Sequence, residues 1–274
     1  MTNRNRSIST VLLGTLLWAG LAGACSKNKR TGPAPEPGSP VIAIYAGDGA
    51  WAESVTAGRV MFEWMGYETE LVGPADFNGN DAFGFDAIYF PGGDMYEYSY
   101  DISSVGKTRI RSFVSGGGAY VGVCGGAYFA STSVRWRGAE LVMEPLGMFK
   151  GTASGPIDAI AAYPAYEMCG VYVPGHDHPI TEGQPDRFAA LYYWGPALVP
   201  DAGATVSILG RYEVGDQPAM VAFEYGAGRV FIIGVHPEIE EDSDRDSVAF
   251  GDDLDDEGSE WVIMKAALEW CLRR

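Results

Sequence analysis

From Val41 to Ser131 the chain repeatedly sets a short, nearly continuous apolar run before a glycine turn and a helical stretch. "PVIAIYAG", "ETELVG", "FDAIYFPGGD" and "AYVGVCGG" are the runs. A strand apolar at successive positions is buried on both faces, so these segments predict a parallel sheet covered on both sides. Between them, "WAESVTAGRVMFEWMG" places Val55, Val60, Met61, Trp64 and Met65 at mostly helical spacing and stops at Gly66. "KTRIRSFVSGGG" sets Ile110, Phe113 and Val114 on one helical face, and "GAYFAST" opens the next helix. After Ser133 the texture changes to short runs separated by Gly and Pro. "AFEYGAGRVFIIG" reads as a hairpin turning at residues 226–228, and "GSEWVIMKAALEWCLRR" as a closing helix with Ser259 at its N-cap. The expectation is an α/β fold with a mainly parallel sheet, helices on both faces and antiparallel strands in the second half.

The first forty residues do not share this pattern. "MTNRNR" carries Arg4 and Arg6 and no acid, and precedes an apolar run of about 14 residues, the size of a signal-peptide core and short of a spanning helix. Ala22, Gly23 and Ala24 before Cys25 resemble a bacterial lipoprotein cleavage box, which implies that residues 1–24 are removed and Cys25 is lipidated. Ser26 is not the Asp that commonly retains lipoproteins in the inner membrane, so the expected location is the outer membrane, facing the periplasm. Residues 25–40 then form a Pro- and Gly-rich tether, and residues 41–274 the folded unit. The formal charge of −17 repels polyanions, so nucleic acid is not an expected partner, and membrane association is expected through the anchor alone. Cys169 and Cys271 are available to pair in an oxidising compartment.

The chemistry sits where runs end. "GVCGG" places Cys124 on a glycine-flanked strand-to-helix turn, the arrangement of a nucleophile elbow. It reads equally as packing material in a tight turn. "GVHPEIE" follows another apolar strand. Pro237 holds His236 extended, so Glu238 projects to the same side and can orient the imidazole. A cysteine beside an imidazolium is held as its nucleophilic thiolate. The other two histidines, His176 and His178, sit in "PGHDHP" and read as loop residues. "FPGGD" offers the amides of Gly92 and Gly93 which, with that of Gly125, are candidates for an oxyanion hole.

Cysteine at one strand end, His-Pro-Glu at a later one and Gly-Gly on the strand neighbouring the cysteine resemble the class I glutamine amidotransferase-like superfamily. "FPGGDMYEY", "IRSFVSGGGAYVGVCGGAYFAS" and "YYWGP" are similar to the N-terminal domain of fungal-type biotin-protein ligases and its stand-alone bacterial relatives. The resemblance implies a flavodoxin-like sheet, Cys124 as nucleophile, His236 as general base and acid, and Glu238 as its partner. Tyr128 stands where glutaminases carry Gln, which puts glutamine as the substrate in doubt.

Other residues are candidates for binding. Tyr193 and Trp194, with Tyr192, can wall a pocket and read equally as core or surface packing; Asp94, Tyr96 and Tyr98 can line its rim; Tyr128 lies beside the nucleophile. Asp242, Asp244 and Asp246 are spaced like the start of a calcium loop, but Ser247 replaces its glycine and Asp253 its glutamate. That segment is read as a solvated acidic loop, and neither a metal nor a cofactor is expected. The functional expectation is a lipid-anchored enzyme attacking a small-molecule or peptide amide through Cys124, His236 and Glu238. A catalytically silent binding module is the alternative, and a redox-sensing thiol ranks third.

Overall fold

The computed structural model describes residues 33–241, 243–255 and 258–273. The signal segment, Cys25 and the first part of the tether lie outside them. Among the described residues no helix is long and apolar enough to cross a membrane.

The predicted α/β alternation forms as β1 (Val41–Tyr45), α1 (Ala52–Trp64), β2 (Glu68–Val72), α2 (Pro74–Asn78), β3 (Ala87–Phe90), α3 (Met95–Asp101), α4 (Ser104–Ser115), β4 (Ala119–Val123) and α5 (Gly125–Ala130). There follow β5 (Ser131–Trp136), β6 (Ala139–Glu140), β7 (Phe149–Gly155), β8 (Glu167–Tyr172), β9 (Arg187–Tyr192), β10 (Ala197–Pro200), β11 (Ser207–Tyr212), β12 (Pro218–Tyr225), β13 (Gly228–Ile233) and α6 (Trp261–Leu272). Nine strands form one sheet in the order β2-β1-β3-β4-β13-β12-β11-β8-β9. The first five are mutually parallel, in flavodoxin-like order, and the rest antiparallel.

Alternate residues of the parallel strands serve opposite layers. Ile42, Ile44, Val121 and Val123 pack with Met61 and Phe62 of α1 and Met264 and Leu268 of α6. Ala43, Tyr45, Ile88, Phe90 and Tyr120 pack with Phe77, Tyr98, Ile110 and Phe129 of α2 to α5 on the other face. This two-sided burial is the physical reason the strands read as continuous apolar runs rather than alternating ones. The hairpin also forms as expected, with β12 ending at Tyr225 and β13 starting at Gly228.

Several local expectations are corrected. A second sheet, ordered β10-β7-β5-β6, packs beside the first and was not distinguished in the sequence. The helix beginning at "GAYFAST" lasts only to Ala130, because Ser131 already pairs with Phe149. Glu260, not Ser259, occupies the N-cap of α6, although Ser259 Oγ still accepts from Trp261 N at 3.4 Å. Cys169 and Cys271 are buried free thiols.

The acidic segment is not simply solvated. Glu240, Glu241, Asp246 and Glu260 are buried. Asp246 accepts from Glu240 N at 2.9 Å and Val248 N at 3.0 Å, bracing the loop, while burial raises its carboxyl to about 6. Arg245 bonds Glu240 Oε2 at 3.0 Å and lies over Trp261 at 4.0 Å. Asp242 lies outside the described residues. Among those described, no group of three or more His, Cys, Asp and Glu side chains is arranged to hold a metal.

Candidate active site

Strand register brings the sequence candidates together. Phe90 pairs with Gly122 and Ile233 with Val123, so β3, β4 and β13 end side by side at their carboxyl edges. Open α/β sheets place ligands at such edges. From them emerge the Pro91–Gly93 turn, Cys124, and the segment from Gly234 to Glu238.

Cys124 has φ 46° and ψ −102°, a conformation costly for a residue with a side chain. Its amide donates to Ile233 O at 2.9 Å, and the carbonyl accepts from Ala127 and Tyr128 at 3.0 Å, which holds the elbow. The adjacent glycines are required by proximity: a Cβ on Gly125 would meet the backbone of Gly93, and one on Gly126 the carbonyl of Phe90. Cys124 Sγ lies 3.5 Å from Tyr193 O.

His236 is 1 % exposed and Glu238 fully buried. His236 Nδ1 and Glu238 Oε1 are 3.0 Å apart, as the i, i+2 spacing predicts. His236 N also donates to Leu191 O at 2.8 Å, so the antiparallel extension returns at β9 to fix the histidine. Nε2 is buried without a completed hydrogen bond, and Cys124 is close enough to act on the ring through charge and hydrogen bonding. Burial disfavours the imidazolium, but the neighbouring Cys124 and Glu238 anions outweigh it and raise His236 to about 10.

A residue absent from the sequence candidates completes this network. Ser54, buried on α1, donates to Glu238 Oε1 at 2.5 Å and accepts from Gly92 N at 2.8 Å. A serine near a helix start carries no sequence signal for this role. It corrects the expectation for Gly92, whose amide is consumed by Ser54. The amides of Gly93 and Gly125 enter no backbone hydrogen bond of their turns and remain the candidate donors to an oxyanion.

The sulfur and the imidazole open on one cleft of about 730 Å³. Asp94, Tyr96, Tyr128, Tyr193 and Trp194 line it, as expected from sequence, together with Trp51, Trp136, Val142 and Tyr163. Trp51 was not anticipated; its ring stands edge-on to His236 at 5.1 Å and to Tyr193 at 5.3 Å. Tyr128 is buried and donates to Trp194 O at 3.0 Å, fixing a residue held at φ 66°. One rim expectation, Tyr98, fails, and Tyr192 takes its core reading rather than the pocket wall. Tyr98 is fully buried, donating to Gly92 O at 3.0 Å, and Tyr192 is a core residue donating to Gly195 O at 2.9 Å. Asp94 also caps α3, accepting from Tyr96 N at 2.9 Å. His176 sits in its loop as expected, bonded to Thr181 O at 2.9 Å and Asp186 at 2.8 Å.

Residues 42–260 match the family described as biotin-protein ligase, N terminal. The chain belongs to this family. Among curated proteins, the biotin–protein ligase of Schizosaccharomyces pombe is 27% identical over 168 residues, covering 55% of this chain and 25% of that protein. An uncharacterized protein of Chlamydia muridarum is 38% identical over 73 residues, covering 25% of this chain and 28% of that one. The matched region thus spans about a quarter of the length of these curated relatives. Among solved structures, PurLQS from Thermotoga maritima superposes with a TM-score of 0.56 at 17% identity, covering 85% of this chain and 99% of that one. A ThuA-like protein from Bacteroides uniformis gives 0.57 at 15% identity, covering 87% and 94%. The fold is that of the class I glutamine amidotransferase-like proteins.

Proposed function

We propose that this family member is a cysteine-dependent hydrolase or acyl transferase acting on an amide-type carbonyl, anchored by Cys25 on the periplasmic side of the outer membrane. The observation that carries the catalytic reading is the strained Cys124 elbow, sharing one cleft with a buried His236 that is paired to Glu238. The Cys124 thiolate attacks the carbonyl carbon, forming a C–S bond while the carbonyl π electrons move to oxygen. The amides of Gly93 and Gly125 receive that oxyanion. The tetrahedral adduct collapses, the C–N bond breaks, and the His236 imidazolium gives its proton to the leaving amine. Neutral His236 then takes a proton from water, which attacks the thioester and releases the acid and the thiolate. Glu238 and Ser54 hold the imidazole in register throughout.

The test is turnover of a panel of peptide and small-molecule amides, alongside labelling by a cysteine-directed acyl probe. Wild type is expected to hydrolyse at least one amide, with Cys124→Ala and His236→Ala lowering kcat about 10³-fold or more. No turnover, together with alkylation of Cys124 at the rate of a free thiol in both wild type and His236→Ala, would establish a silent binding module instead.

A further inference from the structure

Resting on the reading of Cys124 as nucleophile, we propose that the cleft selects amine-bearing, cationic amides and rejects substrates with a free carboxylate. The walls argue this first. Trp51, Tyr163, Tyr193 and Trp194 pack at the mouth as one aromatic surface, with centroid separations of 5.3 Å for Trp51–Tyr193, 4.1 Å for Tyr193–Trp194 and 4.6 Å for Tyr163–Trp194. Aromatic faces are negative in their quadrupole and attract ammonium groups. Tyr163 remains 42% exposed, so its ring is open to an incoming group.

The charges point the same way. Among the described residues no Lys or Arg lines the cleft, and Asp94 places a carboxylate there. Arg137, the nearby cation, is not a lining residue; its guanidinium lies 4.9 Å from the Tyr163 ring centre, so this ring already accepts a cation. The imidazole of His236 is buried and engaged by Cys124 and Glu238. The cationic group facing the cleft, the His236 imidazolium, is already paired with Glu238, so a substrate carboxylate would lose water for little return, whereas an ammonium would meet Asp94 and ring faces. Free glutamine, which carries an α-carboxylate, is a poor fit. An aminoacyl amide or a peptide N-terminus fits, with its amine toward Asp94 and its carbonyl at Cys124.

The experiment is calorimetric binding to the Cys124→Ala protein at about pH 6.5, where α-amino groups are protonated. Three probes share one ring: phenylalaninamide (cation), N-acetylphenylalaninamide (neutral) and N-acetylphenylalanine (anion). The expected result is a Kd for phenylalaninamide about tenfold or more below that of the neutral probe, with the anion weakest. Asp94→Asn should remove most of that advantage, and Trp194→Ala should weaken the cation. Equal affinities, preference for the anion, or no binding by any probe overturns the proposal. Wild-type turnover separates the two readings: selective binding with no hydrolysis of any amide sinks the hydrolase and leaves the selectivity. Hydrolysis of neutral and cationic amides at equal kcat/KM does the reverse.

Discussion

Ser54, Glu238, His236 and Cys124 form a chain in which each member is defined by its neighbour. The Ser54 hydroxyl and the Nδ1 of His236 converge on one carboxylate oxygen of Glu238, and the ring's other nitrogen is left for the sulfur. Because the folded pKa of His236 is raised to about 10, the folded state binds that proton more tightly than the unfolded chain. The resulting stability is complete below the ordinary histidine value of about 6.5 and is lost as pH rises through about 10. NMR titration of the three histidines should therefore show His236 still charged at pH 8. In Cys124→Ser the main favourable anion is removed while burial remains, so the midpoint should fall by one unit or more. A midpoint unchanged by that substitution would mean that the sulfur does not act on the ring. Cys124, His236 and Glu238 were legible because their flanking glycines and proline restrict the backbone. Ser54 was not, since it acquires its role only when α1 is laid against the β13 segment.

At the scale of elements, the elbow depends on two glycine-rich connections pressed together with no room for side chains. A Cβ on Gly126 would fall on the carbonyl oxygen of Phe90, backbone against backbone, so neither side can turn away. Gly126→Ala should lower the unfolding free energy by about 1–3 kcal/mol, the range for overpacking a tight site. Gly84→Ala, where nothing lies within 4 Å of the added carbon, should stay within about 0.5 kcal/mol. Urea denaturation of both variants checks the pair, and equal losses would refute the close-approach account. The strands of the parallel half were readable because two-sided burial leaves an uninterrupted apolar signature. The second sheet was not, because Phe149–Gly155 is mixed in polarity and Ala197–Pro200 has only four residues, and their pairing is chosen by register with distant partners. The brevity of α5 was hidden for a similar reason. Ser131 leaves the helix because it finds Phe149, 18 positions later in the chain.

For the whole molecule, the surface charge and the proposed anchor describe an acidic domain tethered to a membrane without lying on it. Expression of the full chain in a bacterial host with an alkyne fatty acid should label the wild type and place it in the membrane fraction. Cys25→Ser should be unlabelled and soluble. Labelling that survives this substitution would sink the anchor. The sequence alone determined the α/β class, the parallel half of the sheet, the elbow at Cys124 and the His236–Glu238 pair, because each rests on local constraint: two-sided burial, glycine freedom, proline restriction and i, i+2 geometry. Only the tertiary structure decided that Gly92 serves Ser54, that Tyr98 and Tyr192 are core, and that Trp51 stands over the histidine. It also decided that the acids after Glu238 turn inward, where Asp246 braces its loop through backbone amides and Arg245 holds Glu240. Those outcomes depend on which faces meet across layers, and a linear pattern of residue types holds no information about a partner that lies many tens of residues away until packing selects it.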